Sequence, residues 1–161
     1  MDVRYYELDY DDIKQISEME MKYFSSPWSE ASIGHYAEAG NTIFIVARSD
    51  EDYDGAGPME DGYVPKKVVG YAAVLCAADE GNLVSIAVDE DCREMGIASE
   101  LLDITYEMAA ERGVSSINLE VRESNIPAIS LYEKEGFEKV GKRPSFYRNP
   151  TEDALLYIKQ L

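Results

Sequence analysis

Apolar residues recur along this chain with two periods, one of two residues and one near three and a half. The places where the period changes divide the chain into strands and helices. Residues 3–8 alternate loosely and are rich in tyrosine, which predicts a first strand. Ile13, Ile16, Met19 and Tyr23 stand at helical spacing, with Asp11 or Asp12 placed to cap them. They predict a helix to about residue 24, which Ser25-Ser26-Pro27 breaks. Ser29-Glu30-Ala31-Ser32 opens a second helix, on which His35 falls as a structural residue. Residues 42–47 and 68–75 are mostly apolar and predict two strands. Between them, residues 49–67 are acidic and carry Gly55, Gly57, Pro58, Gly62 and Pro65, the composition of a long surface hairpin loop. Asp79-Glu80-Gly81-Asn82 predicts a turn into the strand at 83–88.

Beyond that strand a helix is predicted over residues 98–112, with Leu101, Leu102, Ile104, Thr105 and Met108 on one side and Gly113 as its stop. In the strand at 114–121, Ile117, Leu119 and Val121 face one way, and Asn118, Glu120 and Arg122 the other. Ser124-Asn125-Ile126-Pro127 combines a cap candidate with an early proline, and the helix it opens runs to Gly136. Strands at 137–141 and 154–158 close the chain, with residues 142–149 as a loop or strand extension. The predicted order is strand, two helices, three strands, helix, strand, helix, two strands. That order implies one mixed sheet flanked by helices, in a single domain over residues 1–161.

The densest chemical signal is the passage from the strand at 83–88 into the helix at 98. The turn between them reads Arg93-x-x-Gly96-x-Ala98. A helix start offers N–H groups with no intrahelical partner, its dipole favours negative charge, and a glycine lets a ligand approach the backbone. The stretch therefore suggests a phosphate cradle, with an ordinary strand-to-helix turn as the plainer alternative. It lacks the long glycine loop and Gly-Lys-Ser/Thr of a nucleoside-triphosphate site. It also lacks a second half with the acidic residue of a dinucleotide fold.

The net charge of −17 disfavours nucleic acid; it suits cationic partners, although taken alone it is read as a means of solubility. An anionic cofactor must then be held by local donors against the overall field. With two cysteines and one histidine, neither a disulfide framework nor a zinc site is expected, and no metal is called for. No apolar run reaches membrane-spanning length and residues 1–4 do not open a signal peptide, so a reducing cytoplasm and no membrane partner are expected.

The Arg93-x-x-Gly96-x-Ala98 turn resembles the pyrophosphate-binding signature of the GCN5-related N-acetyltransferases. So do residues 119–125 (Leu-Glu-Val-Arg-Glu-Ser-Asn), Leu131-Tyr132-Glu133, Gly136-Phe137, Pro27-Trp28-Ser29 and residues 149–154. Together they are similar to the RimI-type branch, the ribosomal-protein-alanine N-acetyltransferases. The resemblance covers nearly the whole chain. It implies a sheet of about seven mostly antiparallel strands with about four helices, its two central parallel strands splayed around the pantetheine of acetyl-CoA. It implies that the backbone of Ile86, Ala87 and Val88 pairs with the pantetheine. Donors on Arg93, Glu94, Met95, Gly96, Ile97, Ala98 and Ser99 would take the pyrophosphate. By the same resemblance Asn125 contacts the cofactor, Glu120 is the general base and Tyr132 is the general acid and a cofactor contact. The implied partner is a basic protein N-terminus, that of a small-subunit ribosomal protein.

The residue pattern is compatible with those roles. Asn125 and Tyr132 are seven apart on one helix, and Glu120 lies on the strand leading into it. A tyrosine, with a pKa around 10, has a proton to give a thiolate at neutral pH. The plainer roles are a core aromatic for Tyr132 and a solvated partner of Arg122 for Glu120. Cys92 as an acyl carrier is disfavoured, because no activating base lies near it in sequence and direct transfer needs no nucleophile. A peptide α-amine, with a pKa near 8, asks less of a carboxylate base than a lysine at about 10.4. Three departures touch the acceptor side: Asn82, where an acidic residue is common in the branch, Arg148, where proline is common, and the long acidic loop. Two other functions stand beside the leading one. They are acetylation of a small amine such as a polyamine, and a non-catalytic acyl-CoA-binding module. The presence of both Glu120 and Tyr132 argues against the second.

Overall fold

The computed structural model describes residues 1–55 and 57–161. Its elements are β1 (Val3–Glu7), α1 (Ile13–Tyr23), α2 (Glu30–Glu38), β2 (Thr42–Asp52), β3 (Lys66–Ala77), β4 (Glu80–Val88), α3 (Ile97–Glu111), β5 (Ser116–Arg122), α4 (Ile126–Lys134), β6 (Glu138–Tyr147) and β7 (Glu152–Gln160). The seven strands form one sheet in the order β1-β2-β3-β4-β5-β7-β6. Every pairing is antiparallel except β4 with β5. The predicted sequence of elements is thus observed, and the differences lie at their ends.

Each end differs for a local reason. Asp11 does not cap α1, and Asp12 occupies its N-cap position without a side-chain cap bond. The Asp12 carboxylate is taken by the Arg48 guanidinium, at 2.6 and 2.8 Å, and by the Asp9 backbone N–H. Asp9 instead caps the short 3-10 turn Tyr10–Asp12. The acidic hairpin is shorter than its composition suggests. Asp52 pairs with Lys66 in register and through a 2.6 Å ion pair, so β2 and β3 extend into it. Ala56, in the remaining loop, lies outside the described residues. Glu80, Gly81 and Asn82 are strand, not turn, because β3 and β5 flank them on both edges. Residues 142–147 extend β6, pairing with β7.

Helices cover both faces. On one, α1 and α2 bury Ile13, Ile16, Met19 and Ile33 against Phe44, Val46, Tyr71, Ala73 and Ala87. On the other, α3 contributes Ile97, Leu101, Leu102 and Ala109, and α4 contributes Tyr132. These meet Ile43, Ile45, Ile117, Leu119 and Val121. The alternation read along β5 is observed: Ile117, Leu119 and Val121 are buried, and Asn118, Glu120 and Arg122 are half-buried.

The sheet is joined at its centre by only three parallel pairs, Glu80–Asn82 with Ser116–Asn118. Past Asn82, β4 continues to Val88 with no partner on its β5 side, while β5 stays paired to β7 out to Arg122. The two strands therefore fork. At the apex the Asn82 amide donates to Asn118 Oδ1 at 2.5 Å. A bulge sits just past the fork: Leu83 pairs with Val74 and Ser85 with Ala73, which leaves Val84 extra.

One buried carboxylate fixes this region. Glu20, on α1, is 3% exposed. It accepts hydrogen bonds from the Tyr71 hydroxyl, the Ser85 hydroxyl at 3.0 Å and the Trp28 backbone N–H at 3.2 Å. Glu20→Ala leaves three donors unpaired around a void and is expected to cost about 3 kcal/mol, since each orphaned buried donor costs roughly 1–3 kcal/mol. Urea unfolding checks this. A loss under about 1 kcal/mol would mean that water replaces the carboxylate.

Candidate active site

The fork divides the site into two halves. On the β4 half, Ile86, Ala87 and Val88 pair with Ala72, Tyr71 and Gly70 on one edge only. Their other edge faces the gap, where an extended ligand can pair as an added strand. Ile86 and Val88 pack toward the α3 side of the sheet and Ala87 toward the α1 side.

The chain then turns through Glu90–Cys92, capped by Asp89, and reaches Gly96. Glu94 has φ 61° and Gly96 φ 79°. Gly96 is the N-cap residue of α3, so no side chain satisfies the first-turn N–H groups of Ile97, Ala98 and Ser99. A Cβ at Gly96 would meet no atom within 4 Å. The turn is an open nest of backbone donors at a helix start. Glu94 and Met95 are exposed beside it. Arg93 is turned back: its Nε donates to the Val88 carbonyl at 3.2 Å, and its guanidinium lies 5.0 Å from the Tyr23 ring centre. Cys92 is buried, and burial pushes its thiol pKa up, with Asp89 adding to the effect. A protonated buried thiol is a poor acyl carrier.

On the β5 half, Glu120 projects from the face turned away from α3 and α4. It is not paired with Arg122, as the plainer sequence role had it. Its side chain is 24% exposed and its nearest cation is Arg143, at 3.9 Å. Arg122 is held instead by Glu152 at 3.2 Å and by neighbouring carbonyls. Asn125 caps α4, its Oδ1 accepting from Ala128 N–H at 3.3 Å. Among the described residues nothing accepts from its amide N–H groups. Tyr132 is 7% exposed, its ring edge-on to Phe137 at 5.7 Å. Among the described residues no group hydrogen-bonds its hydroxyl. Burial, and secondarily Tyr147, push its pKa above the ordinary tyrosine value. Tyr147, at the end of β6, is pushed up to about 12 by burial and then by Glu120. Glu120, Tyr132 and Tyr147 thus share one electrostatic neighbourhood, although 27 residues separate Glu120 from Tyr147 in sequence.

Tyr147, Arg143 and Glu20 were not singled out in the sequence. Tyr147 lies where no periodicity shows, and the charged run around Arg143 reads as surface. Glu20 stood at a helical position facing inward, which was the available signal.

The raised tyrosine values fix a pH dependence. A phenol with a higher pKa folded than unfolded binds its proton more tightly in the native state. Its stabilising contribution is full below about pH 10 and is lost as pH rises through the folded value. Unfolding midpoints in urea are therefore expected to fall between about pH 10 and 12, and less steeply in Tyr147→Phe. A midpoint that rises over this range would contradict the burial assigned to these hydroxyls.

Comparison with known proteins places this geometry. The model of the acetyltransferase (GNAT) family matches residues 13–137. The chain belongs to that family. It is 30% identical over 146 residues to the [ribosomal protein bS18]-alanine N-acetyltransferase of Escherichia coli strain K12, covering 91% of this chain and 86% of that relative. The crystal structure of the ribosomal-protein-S18-alanine N-acetyltransferase from Escherichia coli superposes with a TM-score of 0.79 at 26% identity, over 99% of this chain and 94% of that one. Arabidopsis thaliana NAA60 in complex with acetyl-CoA shares the fold, with a TM-score of 0.80 at 16% identity over 99% of each chain. As a GNAT acetyltransferase, this chain is an enzyme of acetyl transfer. Among the described residues no helix is long and apolar enough to cross a membrane, and no three His, Cys, Asp or Glu side chains gather as for a metal ion.

Proposed function

We propose that this protein moves acetyl from acetyl-CoA directly to the α-amine of an alanine N-terminus, that of a small-subunit ribosomal protein. The observation that carries the proposal is near full-length similarity to the Escherichia coli enzyme, together with the fork that separates a phosphate nest from Glu120. The nest at Gly96–Ser99 takes the diphosphate, and the free edge at Ile86–Val88 takes the pantetheine. This threads the thioester into the fork. The acceptor amine comes from the α1–α2 face, where Glu120 lies. Glu120, directly or through a water, removes a proton as the amine nitrogen bonds to the thioester carbon. The carbon–sulfur bond then breaks, and Tyr132 gives its proton to the leaving thiolate. Burial keeps that proton in place across physiological pH. The acidic surface suits a basic acceptor.

Tyr132→Phe tests the acid. It keeps the ring packing on Phe137 and loses the donor. It is expected to lower kcat roughly 10- to 100-fold with little change in the acetyl-CoA KM, because the hydroxyl acts as the thiolate forms. Steady-state kinetics with an alanine-starting basic peptide and a polyamine panel read both the acid and the acceptor class. Wild-type kcat in the variant, with chemistry limiting, would reduce Tyr132 to packing.

A further inference from the structure

The outer side of α2 carries a shallow groove of about 330 Å³, lined by Trp28, Ala31, Ser32, His35 and Tyr36. It stands apart from the fork, over β2, where Trp28 packs on Phe44 with ring centres 6.3 Å apart. Trp28 and Tyr36 are half-buried and stack on each other at 4.7 Å, so the aromatic floor is anchored in the core. His35 is exposed on the groove's rim. Glu38 follows His35 by three residues and so adjoins it on the helix surface. Its carboxylate is steadied by the Tyr10 hydroxyl, which donates to it at 2.9 Å.

Aromatic rings elsewhere in this chain have cations of their own. Lys or Arg side chains sit over Tyr6, Tyr23, Tyr106, Phe146 and Tyr147. Among the described residues none sits over Trp28 or Tyr36, although indole is the ring that holds a cation best. No lysine or arginine occurs between Lys22 and Arg48, a stretch that includes Glu30 and Glu38. The groove thus joins electron-rich rings to a carboxylate, in a region with no cation of its own to fill it. We infer that it docks the basic stretch that follows the acceptor's N-terminus, with one arginine or lysine side chain laid against Trp28 and Tyr36 beside Glu38. β3 and β4 separate β2 from the fork, and α2 lies on the face from which the amine comes. An extended chain spans that distance in roughly six residues. The inference deepens the proposed function and rests on its acceptor class.

Trp28 is the single tryptophan, so its fluorescence reports on this groove alone. The full chain is titrated with a basic peptide whose N-terminus is blocked and whose arginines lie about six residues in. A saturable change in emission is expected, absent with glutamines in place of the arginines and lost in His35→Lys, which puts a fixed cation on the rim. With the unblocked alanine-starting peptide, His35→Lys should raise the peptide KM about fivefold, as for loss of one exposed cation–π contact. Its kcat, its acetyl-CoA KM and its KM for the glutamine peptide should stay constant. Glu107→Gln, on exposed α3 surface, makes the same change in net charge and should leave every value as in the wild type. No emission change on titration, or an equal rise in KM in Glu107→Gln, overturns the docking site. A saturable emission change, lost in His35→Lys, in a protein that acetylates neither peptide keeps the groove as a basic-peptide site and overturns the acceptor reading.

Discussion

Glu120→Gln is expected to lower kcat about 100-fold, within the usual range for removal of a general base. The substitution keeps the length and shape of the side chain. Its half-buried place on β5 is set by the strand's alternation and not by its charge, so folding should survive. The nearest cation, Arg143, is 3.9 Å away and more than half exposed, so little pairing energy is lost with the carboxylate. What disappears is the acceptor for the amine proton. The deficit should shrink as pH rises toward and past the amine pKa, near 8, because more of the acceptor is then neutral on arrival. A variant that changes only the peptide KM and its salt dependence would make Glu120 an anchor for the cationic terminus, with the base elsewhere.

Gly96→Asp is expected to weaken acetyl-CoA binding at least 100-fold while the protein stays folded. The residue is left-handed, at φ 79°, a conformation aspartate tolerates better than most side chains. The added Cβ meets no atom of the protein. An aspartate at the head of a helix is moreover favourable to the helix itself. The carboxylate instead occupies the nest and repels the diphosphate from the donors of Ile97, Ala98 and Ser99. Calorimetry with CoA and thermal unfolding separate the two effects. Unchanged affinity in the folded variant would move the diphosphate away from this turn.

The sequence allowed some of this to be read and concealed the rest, for identifiable reasons. Period-two alternation in β5 and the glycine after Arg93 are local signals, so the Glu120 face and the α3 nest were both readable. Asn125 was readable as a cap, and the structure uses its Oδ1 for that purpose. The fork was not readable from periodicity. Residues 83–88 and 116–122 look like ordinary strands, and their divergence depends on which edge finds a partner. Arg122 shows the same limit. Its neighbour Glu120 is two residues away, yet its partners are Glu152, Arg148, Pro150 and Ser25, up to 97 residues distant in sequence. The pairings with Arg148, Pro150 and Glu152 depend on the sheet order β5-β7-β6, and the one with Ser25 on how the α1–α2 segment packs over the sheet, and no local pattern encodes either.

The site of acetylation decides between these readings. The full chain is incubated with acetyl-CoA and a basic peptide that begins with alanine and carries an internal lysine, and the product is fragmented by tandem mass spectrometry. A single acetyl on the alanine α-amine is expected, absent when Glu120→Gln replaces the wild type at neutral pH over the same time. Acetyl on the lysine side chain, or on a polyamine and not on the peptide, would contradict it.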